Sequence, residues 1–145
     1  MSASRPNQSE IAKAGVMLQG LRAKLDQIRA SKAEQTAEMR ELDLTHHVLQ
    51  ATGDINRMLA VKQRSAALNK SIAVLSASER ECAQRIQSVE RYVETLNRKL
   101  EGLRKEADSV AAKLTQDGLG GEVIAGLQTA QRRIKMQIDA IAGQE

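Results

Sequence analysis

From Met58 to Leu114, apolar side chains recur at alternating spacings of three and four. One core position is filled by Met58, Ser65, Ile72, Glu79, Ile86, Val93, Leu100, Ala107 and Leu114. The other is filled by Val61, Leu68, Leu75, Cys82, Val89, Leu96, Leu103 and Val110. Within this run only Ser65 and Glu79 interrupt the apolar rule. A seven-residue repeat held over such a length makes a narrow stripe that winds left-handed around a partner helix. It predicts a long helix over about 55–115 in a coiled coil.

The same counting from Ile11 gives a second stripe: Ile11, Ala14, Leu18, Leu21, Leu25, Ile28, Lys32, Gln35, Met39, Leu42, His46 and Leu49. Its middle is weak, because Lys32 and Gln35 take adjacent core positions. Ser9 stands before Glu10 and Ile11 as an N-cap, with an acid where the helix dipole favours one, so a helix is predicted over about 9–50. The phase breaks at Ala51-Thr52-Gly53-Asp54, where Gly53 suits a left-handed C-cap and Asp54 an N-cap. A second break, Gln116-Asp117-Gly118-Leu119-Gly120-Gly121, is rich in glycine. Beyond it Ile124, Leu127, Gln131, Ile134, Ile138 and Ile141 form a third stripe, on a helix predicted over about 122–142. Residues 1–8, polar and holding the only proline, read as a flexible tail.

If both breaks are tight turns, facing core residues keep a constant sum of residue numbers across each. Across the first turn Leu49 faces Met58, Leu25 faces Cys82 and Ile11 faces Leu96. Lys32 and Glu79 fall in neighbouring layers, placed for a partly buried ion pair that would penalise shifted registers. Asp43 and Lys62 are placed to pair on the flank. Across the second turn Val110 faces Ile124, Leu100 faces Ile134 and Val93 faces Ile141. The two shorter helices would then meet near Val93 and Leu96. The predicted fold is all-α: a single domain over 9–145, an antiparallel coiled-coil rod roughly 90 Å long, with a long central helix and a shorter helix folded back at each end.

Composition narrows the picture. The chain has no Trp and no Phe, and Tyr92 is its only aromatic residue, so a thick globular core is not expected. The charge of +4 is spread unevenly: six bases and six acids over 9–50, twelve and eight over 54–115, three and four over 116–145. Signs alternate along the long helix, as on a solvated face. The single cysteine, Cys82, lies on the seam and reads as a buried thiol. A polar start without an apolar leader, and the lack of a membrane-length apolar run, point to a soluble protein in a reducing, cytoplasmic compartment.

Candidate chemistry is sparse. His46 and His47 point about 100° apart on a helix, unsuited to chelating one ion. The glycine loop lacks the Lys-Ser/Thr of a phosphate-binding loop and follows a helix instead of a strand. No arrangement of Ser, His and carboxylate suggests nucleophilic or acid–base catalysis, and Glu79 and Glu81 have no pocket around them. No enzyme activity, metal or cofactor is expected. Two basic clusters, Arg98-Lys99 with Arg104-Lys105 and Arg132-Arg133 with Lys135, offer a surface to an acidic partner or to phosphates. Without interleaved aromatics, nucleic acid is the lesser of those partners.

The sequence thus points to a structural or adaptor subunit that assembles with other protein subunits, or with a second copy, through helix contacts. In length and architecture, a small, basic antiparallel coiled coil also resembles the stalk-and-chaperone subunits of flagellar and type III secretion export ATPases. That resemblance implies a helical hairpin entering an ATPase ring and stimulating it; it transfers no residue roles. Binding of nucleic acid or an anionic surface along the basic long helix is the third reading.

Overall fold

The computed structural model describes residues 9–143; the tail expected over residues 1–8 lies outside them. Three α-helices make up the described chain: α1 (Glu10–Thr52), α2 (Ile55–Leu114) and α3 (Gly121–Ala142). Among the described residues there is no strand. The ends fall within one or two residues of the positions that capping and glycine punctuation predict, because those caps form.

At the start of α1, the Ala12 N–H donates to Ser9 Oγ at 3.1 Å, satisfying an otherwise orphaned donor of the first turn. At its end, Gly53 adopts a φ of 70°, a left-handed conformation that a side chain would strain. Its N–H donates to the Leu49 carbonyl at 2.9 Å. Asp54 then opens α2, its Oδ1 accepting the Arg57 N–H at 3.2 Å. Between α2 and α3 the chain turns through Gly118, φ 80°, and α3 starts from Gly120 without a side-chain cap.

The contacts divide the chain into two compact units, Gly20–Gln87 and Met1–Gln19 with Ser88–Glu145. In the Gly20–Gln87 unit, α1 and α2 bury a single line of apolar residues: Leu25, Ile28 and Leu49 on one, Leu68, Cys82 and Ile86 on the other. Cross-helix partners fall in number on α2 as they rise on α1, from Leu21 with Cys82 to Glu38 with Arg64. This is the order of an antiparallel pair.

In the other unit, three helices contribute. Leu96, Leu100, Leu103 and Val110 of α2 close a core with Ile134 and Ile141 of α3, and Ile11 of α1 packs against it. Ile134, with no exposed surface, is its centre. Where α1 begins and α3 ends, Ser9 lies against Gly143: a Cβ there would stand 3.4 Å from Ser9 Cβ. The Gly143 N–H donates to the Asp139 carbonyl at 2.8 Å, closing α3.

Ile134→Ala would leave a cavity in that core, and we expect it to lower unfolding stability by about 2–5 kcal/mol. Met136→Ala, two residues on at a site 72% exposed, should change it by less than about 0.5 kcal/mol. Urea unfolding followed by circular dichroism measures both.

Candidate functional site

A charged cluster set into a seam lies in the Gly20–Gln87 unit. Lys32 and Glu79 occupy core positions, and the structure brings them together, with Lys32 Nζ 3.1 Å from Glu79 Oε1. The second carboxylate oxygen is taken by Arg29, whose Nε stands 3.1 Å from Oε2. Arg29 precedes Lys32 by three residues and so shares its helix face; that spacing was the available signal for this second cation. The Glu79 carboxylate is thus held by two cations from the facing helix. Lys32 and Glu79 side chains are about one-third and one-quarter exposed, so the aliphatic stems lie in the seam while the heads reach its edge.

These two hydrogen bonds, from Lys32 first and Arg29 second, hold the Glu79 carboxyl below the usual carboxylate range. Beside this layer Gln35 Oε1 is buried without a hydrogen-bond partner, and Thr36 Oγ1 donates back to the Lys32 carbonyl at 2.8 Å. Contrary to the expectation that Glu79 and Glu81 have no pocket beside them, an open groove of about 330 Å³ runs along the layer with Arg29, Lys32, Thr36, Arg40 and Glu79 in its walls, and Glu81 borders a smaller one of about 50 Å³. The arrangement sets charge against opposite charge across the two helices in this alignment; slid by a heptad in one direction, Glu79 would face Leu21 instead.

The flank pair nearest the turn is Arg64 with Glu38, at 2.8 and 3.0 Å through two nitrogens. The Asp43–Lys62 pair suggested by spacing does not form; the two-pronged guanidinium at Arg64 meets Glu38 further from the turn. Arg64 pulls the Glu38 carboxyl down, and Glu38 raises the guanidinium in return.

Cys82 is buried, and its S–H donates to the Leu21 carbonyl at 3.2 Å. In the other unit Leu96 belongs to the buried core, while Val93 is half-buried. The basic residues Arg98, Lys99, Arg104, Lys105, Arg132, Arg133 and Lys135 are all exposed. Several are already matched: Arg98 with Glu94, Lys105 with Glu101, and Arg133 of α3 with Glu106 of α2. The α2 clusters are therefore local i,i+4 pairs more than an open field of positive charge.

An apolar groove of about 260 Å³ lies between Ala14 and Met17 of α1 and Val89 and Tyr92 of α2. Sequence reasoning missed it, because Met17 and Tyr92 lie off the seam. Among the described residues no group of three or more His, Cys, Asp and Glu gathers as metal ligands, and no helix is long and apolar enough to cross a membrane. No family model, curated protein or solved structure matches the chain.

Two outcomes follow. A carboxyl whose folded value is depressed contributes stability above its unfolded value, about 4.3, and loses it as the pH falls through the folded value. The stability gap between the wild-type chain and Glu79→Gln should therefore be largest at neutral pH and narrow below about pH 4; urea melts across pH 3–7 measure it. The Cys82 thiol should react with a disulfide reagent such as dithionitrobenzoate only slowly in the folded chain and at once in denaturant.

Proposed function

We propose that this chain is a non-enzymatic structural or adaptor subunit that mediates helix–helix assembly within a larger protein complex. In this reading it is an antiparallel coiled-coil rod, its long central helix covered by a shorter helix folded back at each end. The observation that carries the proposal is the thinness of the interior. In the Gly20–Gln87 unit, two helices bury one line of apolar side chains between them, interrupted by the charged Lys32–Glu79 layer. Around it stand Leu44, Val48, Ile55, Leu59 and Val74, each more than half exposed. A two-helix pair is marginal alone, and further helical contacts would cover what it leaves in water.

The polar layer supports the same reading. A buried-edge ion pair adds little net stability but discriminates strongly between alignments, which matters most for a chain whose task is to present fixed surfaces. The stalk-like role in an export ATPase would be a special case of this assembly. The matched charges of Arg98, Lys105 and Arg133 favour a protein partner over nucleic acid.

Light scattering coupled to small-angle X-ray scattering, over a concentration series, tests the folded-back arrangement. α2, with 60 residues, sets an expected longest dimension near ~90 Å; a particle near ~150 Å, with the chain opened at Gly53, would overturn it. Titration with duplex DNA at several salt concentrations tests the partner class. The expected result is weak binding; an affinity falling steeply with salt would move the function to nucleic acid.

A further inference from the structure

In the Gly20–Gln87 unit, the exposed residues of α1 and α2 hold a second heptad pattern beside the buried one. On α1, Ala23, Ala30, Ala37, Leu44 and Ala51 stand seven apart, and all are exposed. On α2, adjacent apolar pairs do the same: Leu59-Ala60, Ala66-Ala67 and Ala73-Val74, again all exposed. By helical spacing these positions lie on the side of each helix opposite its seam. Leu44, Leu59 and Val74 are 68%, 56% and 65% exposed. Alanine is a common filler of solvated helix, but further along α2 the same side carries the ion pairs Glu94–Arg98 and Glu101–Lys105. The apolar pairs of 59–74 are thus a local feature of α2.

Neither outer side is apolar throughout. Gln63 and Lys70 lie between the α2 pairs, and Ala33-Glu34 and Arg40-Glu41 lie between the α1 positions. Residues 55–78 contain no Asp or Glu, and among the described residues the exposed Lys70 and Glu34 take part in no ion pair. The two outer sides match level by level. Set antiparallel, Leu44 meets Leu59-Ala60, Ala37 meets Ala66-Ala67, and Ala30 meets Ala73-Val74. Lys70 then comes level with Ala33-Glu34, and Gln63 with Arg40-Glu41. Set parallel, the same apolar match brings Lys70 level with Arg40-Glu41, where a second base competes for the acid. Charge therefore selects the antiparallel arrangement.

We propose that the outer side of α2 is a docking surface for α1 of a second copy of this chain, packed antiparallel with Glu34 of one copy against Lys70 of the other. The proposal rests on the assembly reading above and names the partner. The α2 helix of a second copy would match the apolar pairs too, but it brings no carboxylate for Lys70. Alanines at the contact let the helices approach to the close end of the usual 8–10 Å separation. A strip about 22 Å long and one helix wide covers on the order of 300 Å², below the roughly 800 Å² per partner of a stable dimer, so each contact is weak. Each copy carries one surface of either kind, on opposite sides of its helix pair. The contact is therefore heterologous and repeats from copy to copy, so association is open-ended instead of closing at two.

Sedimentation equilibrium of the full chain, from about 10 μM to about 1 mM, tests the contact. The expected result is a weight-average mass that climbs past twice the chain's mass without a plateau. Glu34→Lys and Lys70→Glu should each weaken association by about threefold, and the double variant Glu34→Lys/Lys70→Glu should restore it. Both sites are exposed, so helix content and thermal midpoint should match wild type in all three variants. A plateau at the dimer, or a double variant no better than the single ones, would overturn the proposal. A chain that stays monomeric throughout would overturn it as well. Benzophenone side chains placed singly at Ala37 and Ala67, in the cells that make the protein, then separate this proposal from the wider reading. Adducts with a protein of another mass would leave the assembly reading standing; no adducts at either site would count against both.

Discussion

Everything in this protein depends on one constraint: without large aromatic side chains, each helix can bury only the stripe that its seven-residue repeat provides. Leu, Ile, Val and Ala at alternating spacings of three and four fill a line, not a volume. The turn at Gly53 and the loop at Gly118 bring such lines together. Where a third helix arrives, the line becomes a core, and Ile134 loses all contact with water. Where only two helices meet, as in Gly20–Gln87, the line stays thin, and a charged layer of Lys32, Arg29 and Glu79 is set into it.

That charged layer illustrates how polar groups act in such a fold. Glu79 accepts from two cations of the opposing helix, and this keeps its carboxyl ionised at pH values where an isolated one would begin to protonate. A partly buried ion pair of this kind adds little net stability compared with an apolar pair of similar size. The neighbouring Gln35 has a buried oxygen lacking a partner, as does His46 at Nδ1 nearer the turn.

Much of the architecture was legible in the sequence because it is written in periodicity. Every buried apolar residue in the structure, from Ala14 to Ile141, lies on one of the three stripes. The large exposed ones, among them Val16, Leu44, Tyr92 and Met136, lie off them. Ser9, Gly53 and Asp54 are legible for the same kind of reason, since each solves a local hydrogen-bonding or φ problem that few residues can solve. Side-chain reach was not legible. Arg29 joins Glu79, and Arg64 chooses Glu38, through flexible stems whose end points depend on the real separation of two helices. The exposed aliphatics Leu44, Val48, Ile55 and Leu59 were hidden too, because a periodicity of three and four identifies what a helix buries against its own partner and is silent about what it leaves outward.

The meeting of Ser9 and Gly143 has a consequence for how the chain folds. Both turns join segments adjacent in sequence, so helix pairing can zip outward from each at small entropic cost. The contact between the first and last described residues spans nearly the whole chain, and it is cheap only once the helices between them are in place. Loop-closure entropy therefore favours its forming after the helices between them, and places it among the contacts whose loss costs least to the buried core at Ile134.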